Sequence, residues 1–570
     1  MSGSESEKAA EQAVEALEPE SGLLAALDPV SFTSALAQTS LGVARQPLKI
    51  FLAQLRYAAG AAGAAYAAAA RWFGADVDGP IQPAPDDRRW RDPAWEQNPF
   101  YFYMLQSYLL RARLVQDLID ASDVDVPTAQ KARLAAQMLI DALSPTNFHV
   151  TNPTALKKAL DTGGASVARG FKNFLDDLHN NGGLPRKVDF DAFTVGEDLA
   201  ASPGKVVLRN ELMELIQYDS KTENVFETPL LCSPPWINKY YIMDLAPGRS
   251  FIEWSVEHGH TVFAISYLNP DESMRDVSLD DYLINGPLAA VEAIQSITGA
   301  EQVNVVGLCL GGSMTAMLLS YLAAKGDDRV RSMTLLNTLI DFSEPGTLGA
   351  FTDPSAIRRL EKKMNKRGYL DGKEMARTFD LLRANDLIWN YVGSNWLMGE
   401  DPPAFDILAW NSDSTRMPAA MHSFYLRSCY LKNELAQGEM ELAGMPLRLS
   451  DLTQDTYIVA AINDHITPWR SSYSTTQLLK SDLRFILSSS GHIAGIVNPS
   501  SSKARYWTND DLPTQAETWF AAATEHAGTW WEDWTEWIAD RAGERREPPA
   551  LGSDDFPCLG DAPGRYVLDR

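Results

Sequence analysis

Residues 303 to 313 read Val-Asn-Val-Val-Gly-Leu-Cys-Leu-Gly-Gly-Ser. An apolar, β-rich run passes into a cysteine bracketed by glycines and on into a helix. Such a turn leaves almost no room. The residues two before and two after its apex must be glycine so that strand and helix can approach, and the apex residue takes strained backbone angles. Here those positions are Gly307, Cys309 and Gly311. The apex also lies at a helix N-terminus, where the dipole and unpaired N–H groups favour a thiolate and an oxyanion. Without partners, the same string would suit a buried structural cysteine beside a glycine-rich turn.

Partners follow in order. In α/β-hydrolase folds an elbow of this kind is followed by an acid and then a histidine, each after a later strand. Thr456 to Ile462 is a β-rich apolar run that ends in Asn463-Asp464-His465. Leu483 to Leu487 is another, followed by Ser488-Ser489-Ser490-Gly491-His492. Asp464 and His492 are 28 residues apart, room for one helix (Trp469 to Lys480) and one strand, as in the last βαβ unit of a doubly wound sheet. Cys309, Asp464 and His492 therefore make a candidate Cys-His-Asp triad.

Other residues compete for these roles. His465 also follows a strand, but its neighbour Asp464 suits the acid position, so His465 is assigned to loop support or to orienting a partner. Asp341 is expected at the end of a strand from Met333 to Ile340, and some hydrolases draw their acid from that strand. His258 and His260 precede a strand from Thr261 to Ser266, whereas ligands in open α/β sheets bind at the carboxyl ends. Both are expected to be structural.

An acyl-transfer site also needs an oxyanion hole, built from the N–H after the nucleophile and another from the loop after an earlier strand. Leu310 supplies the first. The strand Thr228 to Cys232 opens into Ser233-Pro234-Pro235-Trp236-Ile237-Asn238-Lys239-Tyr240-Tyr241. Its two prolines leave few N–H groups, so Trp236 or Ile237 is the second candidate; a plain turn with an aromatic anchor is the alternative.

Composition narrows the class. The 570-residue chain is long enough for a large core and an additional domain. Its 4 cysteines show no paired spacing, which argues against a disulfide framework or a zinc site. A net charge of −25 argues against nucleic acid, and any phosphate-bearing substrate would need local basic residues. The start, Met1-Ser-Gly-Ser-Glu-Ser-Glu, is unlike a signal peptide, and no apolar run is long enough to span a membrane. The closest, Tyr57 to Ala70, reads as a helix able to lie on a hydrophobic surface. A soluble cytoplasmic enzyme is expected.

Residues 1–89 form a variable N-terminal segment whose Pro80, Pro83 and Pro85 mark a linker. Residues 90–200 have helical periodicity, with an aromatic helix from Phe100 through Leu114 and another over Gln130 to Leu143. Residues 201–570 alternate strands and helices and form the catalytic domain. The 155 residues between Cys309 and Asp464 exceed what two βα units need, so a cap insertion is placed at about 341–434, with Trp389, Trp396, Phe405 and Trp410. Trp530, Trp534 and Trp537 fall on one helix face and read as core.

Pro-Pro-Trp-Ile-Asn-Lys-Tyr-Tyr-Ile-Met-Asp-Leu (234–245), Gly-Leu-Cys-Leu-Gly-Gly (307–312) and Asn-Asp-Leu-Ile-Trp-Asn-Tyr (385–391) occur together with Asn-Asp-His-Ile-Thr-Pro-Trp (463–469), Ser-Gly-His-Ile-Ala-Gly (490–495) and Pro-Gly-Arg-Tyr-Val (563–567). In that order they resemble a polyhydroxyalkanoate synthase, class I-like, over almost everything from about Trp90 to Arg570. The sequence departs at Trp236, where well-known members carry cysteine, and at Ser500, where proline is usual.

The resemblance implies an α/β-hydrolase fold, mostly parallel and doubly wound, with a cap and a helical N-terminal domain. It implies the triad Cys309, Asp464 and His492, and Arg383 as a cap contact for coenzyme A phosphates. It further implies polymerisation of (R)-3-hydroxyacyl-CoA with release of CoA, by a homodimer bearing the growing polyester at a granule surface. No metal or cofactor is expected, coenzyme A being part of the substrate. Ala494 after the histidine resembles short-chain members and points to 3-hydroxybutyryl-CoA. The alternative is a thioesterase or polyester hydrolase of the same fold; a granule coat protein would not need the triad.

Overall fold

The computed structural model describes residues 29–85 and 87–569. The Met1 to Glu7 stretch, read above as unlike a signal peptide, lies outside the described residues. The chain forms two compact units: Met1–Asp189 with Glu374–Pro403, and Phe190–Lys373 with Ala404–Arg570. The stretch read as one cap, about 341–434, is thus divided. Its middle packs with the N-terminal helices and its flanks stay with the catalytic sheet.

The N-terminal unit is helical, with long helices at Pro29–Ala44, Pro47–Trp72, Pro99–Ala121, Val126–Ala142 and Ala165–Asn180. Local chemistry sets their starts. Asn98 accepts from the N–H groups of Phe100 and Tyr101, and Asp125 from that of Thr128, with Pro99 and Pro127 in the first turns. The aromatic helix therefore begins at its proline, and the next one starts earlier than its apolar pattern suggests. Trp90 and Trp95 meet edge to face at 4.8 Å, with Leu105 packed beside them. Gln106 donates to the Ile81 carbonyl at 2.8 Å and accepts from the Ile81 N–H at 3.2 Å, tying the proline-marked linker to its neighbouring helix. A side chain on Gly170 would overlap the Trp396 carbonyl, so the 374–403 segment sits hard against the helix Ala165–Asn180.

The catalytic unit is built on an eleven-stranded sheet. Its strands are β1 (Gly204–Arg209), β2 (Met213–Tyr218), β3 (Leu230–Ser233), β4 (Val262–Tyr267), β5 (Val303–Leu308), β6 (Val330–Leu336), β7 (Asp455–Ala461), β8 (Leu483–Ser488), β9 (Arg505–Thr508), β10 (Thr524–Ala527) and β11 (Gly560–Asp561). They lie in the order β10-β9-β8-β7-β6-β5-β3-β4-β2-β1-β11. From β8 to β4 every pairing is parallel, while β2 joins β4, and β9 joins β8, antiparallel. Strands β3, β4 and β5 are buried along their whole length, which is why their sequences are apolar runs and not alternations.

Strand order reverses around β3, and the carboxyl ends of β3 and β5 there open the crevice in which such sheets bind ligands. Ala461 pairs with Ser488, so the loops that carry Asp464 and His492 leave the sheet at the same level. The helix Trp530–Ala539 braces this end. Trp530 Nε1 donates to the Gly495 carbonyl and Trp531 Nε1 to the Ile496 carbonyl, both at 2.9 Å, just past His492. Trp534 Nε1 donates to Thr334 Oγ1 in β6 at 3.1 Å. The tryptophan face is core, as its spacing predicts, and it fixes the histidine loop. Among the described residues, no helix is long and apolar enough to cross a membrane.

His260 lies between Phe226 and Trp534, before β4, and His422 is buried in the helix Ala419–Tyr425. Among the described residues, neither ring has a hydrogen-bond partner. Burial depresses their pKa values to about 3 and about 4. Both stay neutral in the folded state and titrate near 6.5 when unfolded, so the stability they contribute is complete above pH 6.5 and is lost as pH falls below it. Each is expected to take away about 1.4 kcal/mol per pH unit between 6.5 and its folded value. Urea midpoints from pH 7.5 to 5 should fall accordingly, and His422→Phe should flatten the slope; an unchanged slope would refute the assignment.

Candidate active site

Cys309 ends β5 and begins the helix Leu310–Lys325, with φ 51° and ψ −116°. A side chain on Gly307 would come within 2.5 Å of Gly312 Cα, and one on Gly311 would overlap the carbonyl oxygen of Ser233. Gly312 faces Thr338 as tightly. The glycines are thus required by the close approach of three segments. Four cysteines are free; Cys232 and Cys429 are buried, Cys558 is exposed, and Cys309 alone stands at a strand-to-helix turn, partly exposed. Burial pushes the thiols of Cys232 and Cys429 well up, which keeps them protonated and inert.

His492 Nδ1 lies 2.6 Å from Asp464 Oδ2, and the ring is close enough to Cys309 to feel its charge. The Asp464 carboxylate accepts from Ile466 N–H at 2.8 Å, Thr467 N–H at 2.9 Å and the Thr467 hydroxyl at 2.6 Å. Its side chain is fully buried. Burial alone would raise its pKa, but the His492 charge and these donors outweigh it and hold the carboxyl below its usual range. For His492, burial works downward, while the charges of Asp464 and Cys309 overcome it and leave the ring well above the ordinary histidine value. The three residues assigned from sequence are therefore brought together, with a proton held on the imidazole between carboxylate and thiol. Thr467 was not picked out from sequence; a threonine three residues past an acid is a common turn device and carries no special signal.

Trp236 and Ile237 form a tight turn after β3. Among the described residues, no hydrogen bond uses the N–H of either, and as the first residue of its helix Leu310 has no intrahelical acceptor. Trp236 is buried, edge-on to Tyr282 and Tyr425 at centroid distances of 6.0 and 5.7 Å. The turn is pinned further along: Trp410 Nε1 donates to the Lys239 carbonyl at 2.7 Å, and the Tyr241 hydroxyl to Asp413 at 2.9 Å. Tyr425 and Tyr430 lie close enough to Cys309 to feel its charge, though burial dominates the upward push on both phenols.

Asp341 does not end a strand. β6 stops at Leu336 because Asn337 turns the chain with φ 43°, and Asp341 lies beyond, in the following loop. Its carboxylate accepts from Ser343 N–H at 2.9 Å, Asn433 Nδ2 at 2.8 Å and Ser474 Oγ at 3.3 Å, which makes it a loop staple. The ring partner of Asp464 is His492, while the adjacent His465 is half-buried. Arg383 belongs to the N-terminal unit, where its guanidinium pairs with Asp386.

A sheet of this order with an elbow cysteine and a buried Asp–His pair at its carboxyl edge defines an α/β-hydrolase-fold protein, and the alpha/beta hydrolase fold family matches residues 239–499. The family described as "Poly-beta-hydroxybutyrate polymerase (PhaC) N-terminus" matches residues 86–255. The chain is 41% identical to a poly(3-hydroxyalkanoate) polymerase of Methylorubrum extorquens, over 97% of this chain and 92% of that protein. It is 42% identical to the corresponding polymerase subunit of Cupriavidus necator, over 86% and 84%. It is also 44% identical to polymerase 2 of Ectopseudomonas oleovorans, over 86% and 88%. The chain belongs to the polyhydroxyalkanoate synthase family, and is an acyltransferase.

Thr467 donates to the same carboxylate oxygen that holds the His492 ring. Thr467→Val keeps the shape and deletes the donor, and should lower turnover about tenfold, the equivalent of one hydrogen bond to a charged group. Thr467→Ser should stay within about twofold. Equal rates for the valine variant and wild type would show that the hydroxyl does not position Asp464.

Proposed function

We propose that the protein polymerises (R)-3-hydroxyacyl-CoA, 3-hydroxybutyryl-CoA first, through an acyl group carried on Cys309, with release of CoA. The observation that carries the mechanism is the hydrogen bond from His492 to Asp464 in a buried pair electrostatically coupled to Cys309 at the elbow. The Cys309 thiolate attacks the thioester carbonyl, and the oxyanion is held by the N–H of Leu310 with that of Trp236 or Ile237. CoA leaves as its thiol, taking the proton from His492. The acyl-enzyme is itself a thioester, so the exchange is near thermoneutral. The 3-hydroxyl of the next unit, deprotonated by His492 with Asp464 orienting the ring, then attacks the acyl-enzyme. The carbon–sulfur bond breaks, the thiolate is regenerated, and the more stable oxoester drives growth. A serine at this position would form the oxoester at once and lose that drive.

Water must be kept out, because hydrolysis ends the chain; the aromatic layer of Trp236, Tyr425 and Tyr430 beside Cys309 suits that need. Ala494 is exposed, two residues past His492, and the short-chain preference rests on the resemblance at that position. Arg383 is kept as a phosphate contact on the same ground. The active form is a homodimer at the surface of the polymer it makes.

Cys309→Ala should abolish both polymer formation and CoA release from 3-hydroxybutyryl-CoA, and His492→Ala should slow acylation on the order of 10²–10⁴-fold. Asp464→Asn should slow elongation more than acylation, whereas Asp341→Asn should reduce activity less than Asp464→Asn. CoA release without polymer would favour a thioesterase instead, and a lower kcat/KM for the four-carbon than for the ten-carbon substrate would overturn the chain-length reading. A monomer during turnover, by light scattering, would remove the dimer.

A further inference from the structure

The C-terminal tail of the chain runs from the edge of the sheet to the turn after β3. At the edge, β11 pairs with β1, and the Ala562 N–H donates to the Gly204 carbonyl at 2.9 Å. Farther on, the N–H groups of Arg565 and Tyr566 both donate to Oε2 of Glu214 in β2 at 2.9 Å, and the Tyr566 hydroxyl donates to the Asn210 carbonyl at 2.7 Å. Glu214 is itself fully buried and paired with Arg209 of β1 at 2.5 Å. The Asp569 carbonyl accepts from Asn269, two residues past β4, at 3.4 Å. Glu214 pairs with Ser266 in the register of β2 and β4, so the tail crosses the sheet at the carboxyl end of β4. Chain termini are poorly ordered unless tied down, and this one is tied at both ends.

Its inner anchor is Lys239. The ammonium donates to the Tyr566 carbonyl at 3.2 Å and to the Asp569 carbonyl at 2.5 Å, and the residue is 2% exposed. Lys239 lies near the end of the turn that begins at Ser233. The start of that turn lies against the elbow helix, where a side chain on Gly311 would overlap the Ser233 carbonyl and crowd Pro234. Between the two, Thr415 Oγ1 donates to the Trp236 carbonyl at 3.3 Å, and Trp410 Nε1 donates to that of Lys239 at 2.7 Å. Trp236 and Ile237 are therefore held between the elbow and the tail. Burying an ammonium and ordering a chain end both oppose folding. An alkyl side chain would fill the same space without the first of these costs, so what the lysine contributes is a fixed position for the turn.

Building on the oxyanion reading of Trp236 or Ile237, we infer that Lys239 and the C-terminal tail are positioning elements of the reaction: the tail's carbonyls hold Lys239, and Lys239 holds the oxyanion turn in register with the elbow. Two ligands separate this from general support of the fold. S-propyl-CoA is a thioether and binds as a ground state. A CoA thioether ending in a trifluoromethyl ketone is attacked by the Cys309 thiolate: a carbon–sulfur bond forms, the carbonyl π pair moves onto oxygen as an oxyanion, and nothing leaves. Lys239→Met keeps the aliphatic stem and removes the donors. It should lower kcat with 3-hydroxybutyryl-CoA about tenfold at unchanged KM, and weaken the ketone about tenfold while leaving the thioether unchanged. A chain ending at Gly564 should behave alike, and the double variant should lose no more than either single one, since both break one contact. Should Lys239→Met fail to fold, the shortened chain decides by the same comparison. Equal weakening of both ligands, an unchanged kcat, or losses that multiply in the double variant would overturn the inference. Wild type binding the ketone no more tightly than the thioether would instead overturn the oxyanion reading on which it rests.

Discussion

The site depends on how closely three backbones approach one another at the elbow. Gly307, Gly311 and Gly312 leave no space for a β-carbon against Thr315, the Ser233–Pro234 peptide and Thr338. This contact forces Cys309 to φ 51°, a conformation that costs on the order of 1–3 kcal/mol and persists only because the surroundings over-determine it. The same contact brings the turn after β3 against the start of the elbow helix. A looser elbow would relax the cysteine.

The second half of the site is held from a distance. His492 sits in a loop whose carbonyls at Gly495 and Ile496 are fixed by Trp530 and Trp531; Trp530 stacks on Phe251 of the helix Phe251–Glu257, and Trp531 meets the same ring edge-on. Large aromatic burial at the C-terminal helix thus becomes precision at the imidazole. Asp464 completes the arrangement because it takes three donors of its own besides the ring, which keep its buried carboxylate charged and the imidazole protonated. The charge on this pair survives burial only through that local saturation.

Much of this was legible in the residues. The elbow announces itself because its glycines are a steric necessity, and Asp464 and His492 because each follows an apolar run of strand length at the carboxyl edge of the sheet. The N-caps at Asn98 and Asp125 shifted helix starts from the apolar pattern by a few residues, since capping is decided by one side chain and not by periodicity. Asp341 shows the opposite case. Its sequence neighbourhood is β-rich up to Ile340, yet the left-handed Asn337 ends the strand earlier, and Asn433, Ser343 and Ser474 take up the carboxylate.

By itself, then, the sequence determined the elbow at Cys309, the Asp464 and His492 loops after later strands, and the fold class, because those rest on short-range geometry: turns that admit only glycine and strands that must be buried. Tertiary structure alone decided that the 341–434 stretch divides between two compact units, and that Thr467 shares the oxygen of Asp464 that holds His492. The physical reason is the range of the interactions. Packing partners and the sharing of one carboxylate oxygen are set by segments far apart along the chain, and their energies exist only once the sheet has brought those segments together.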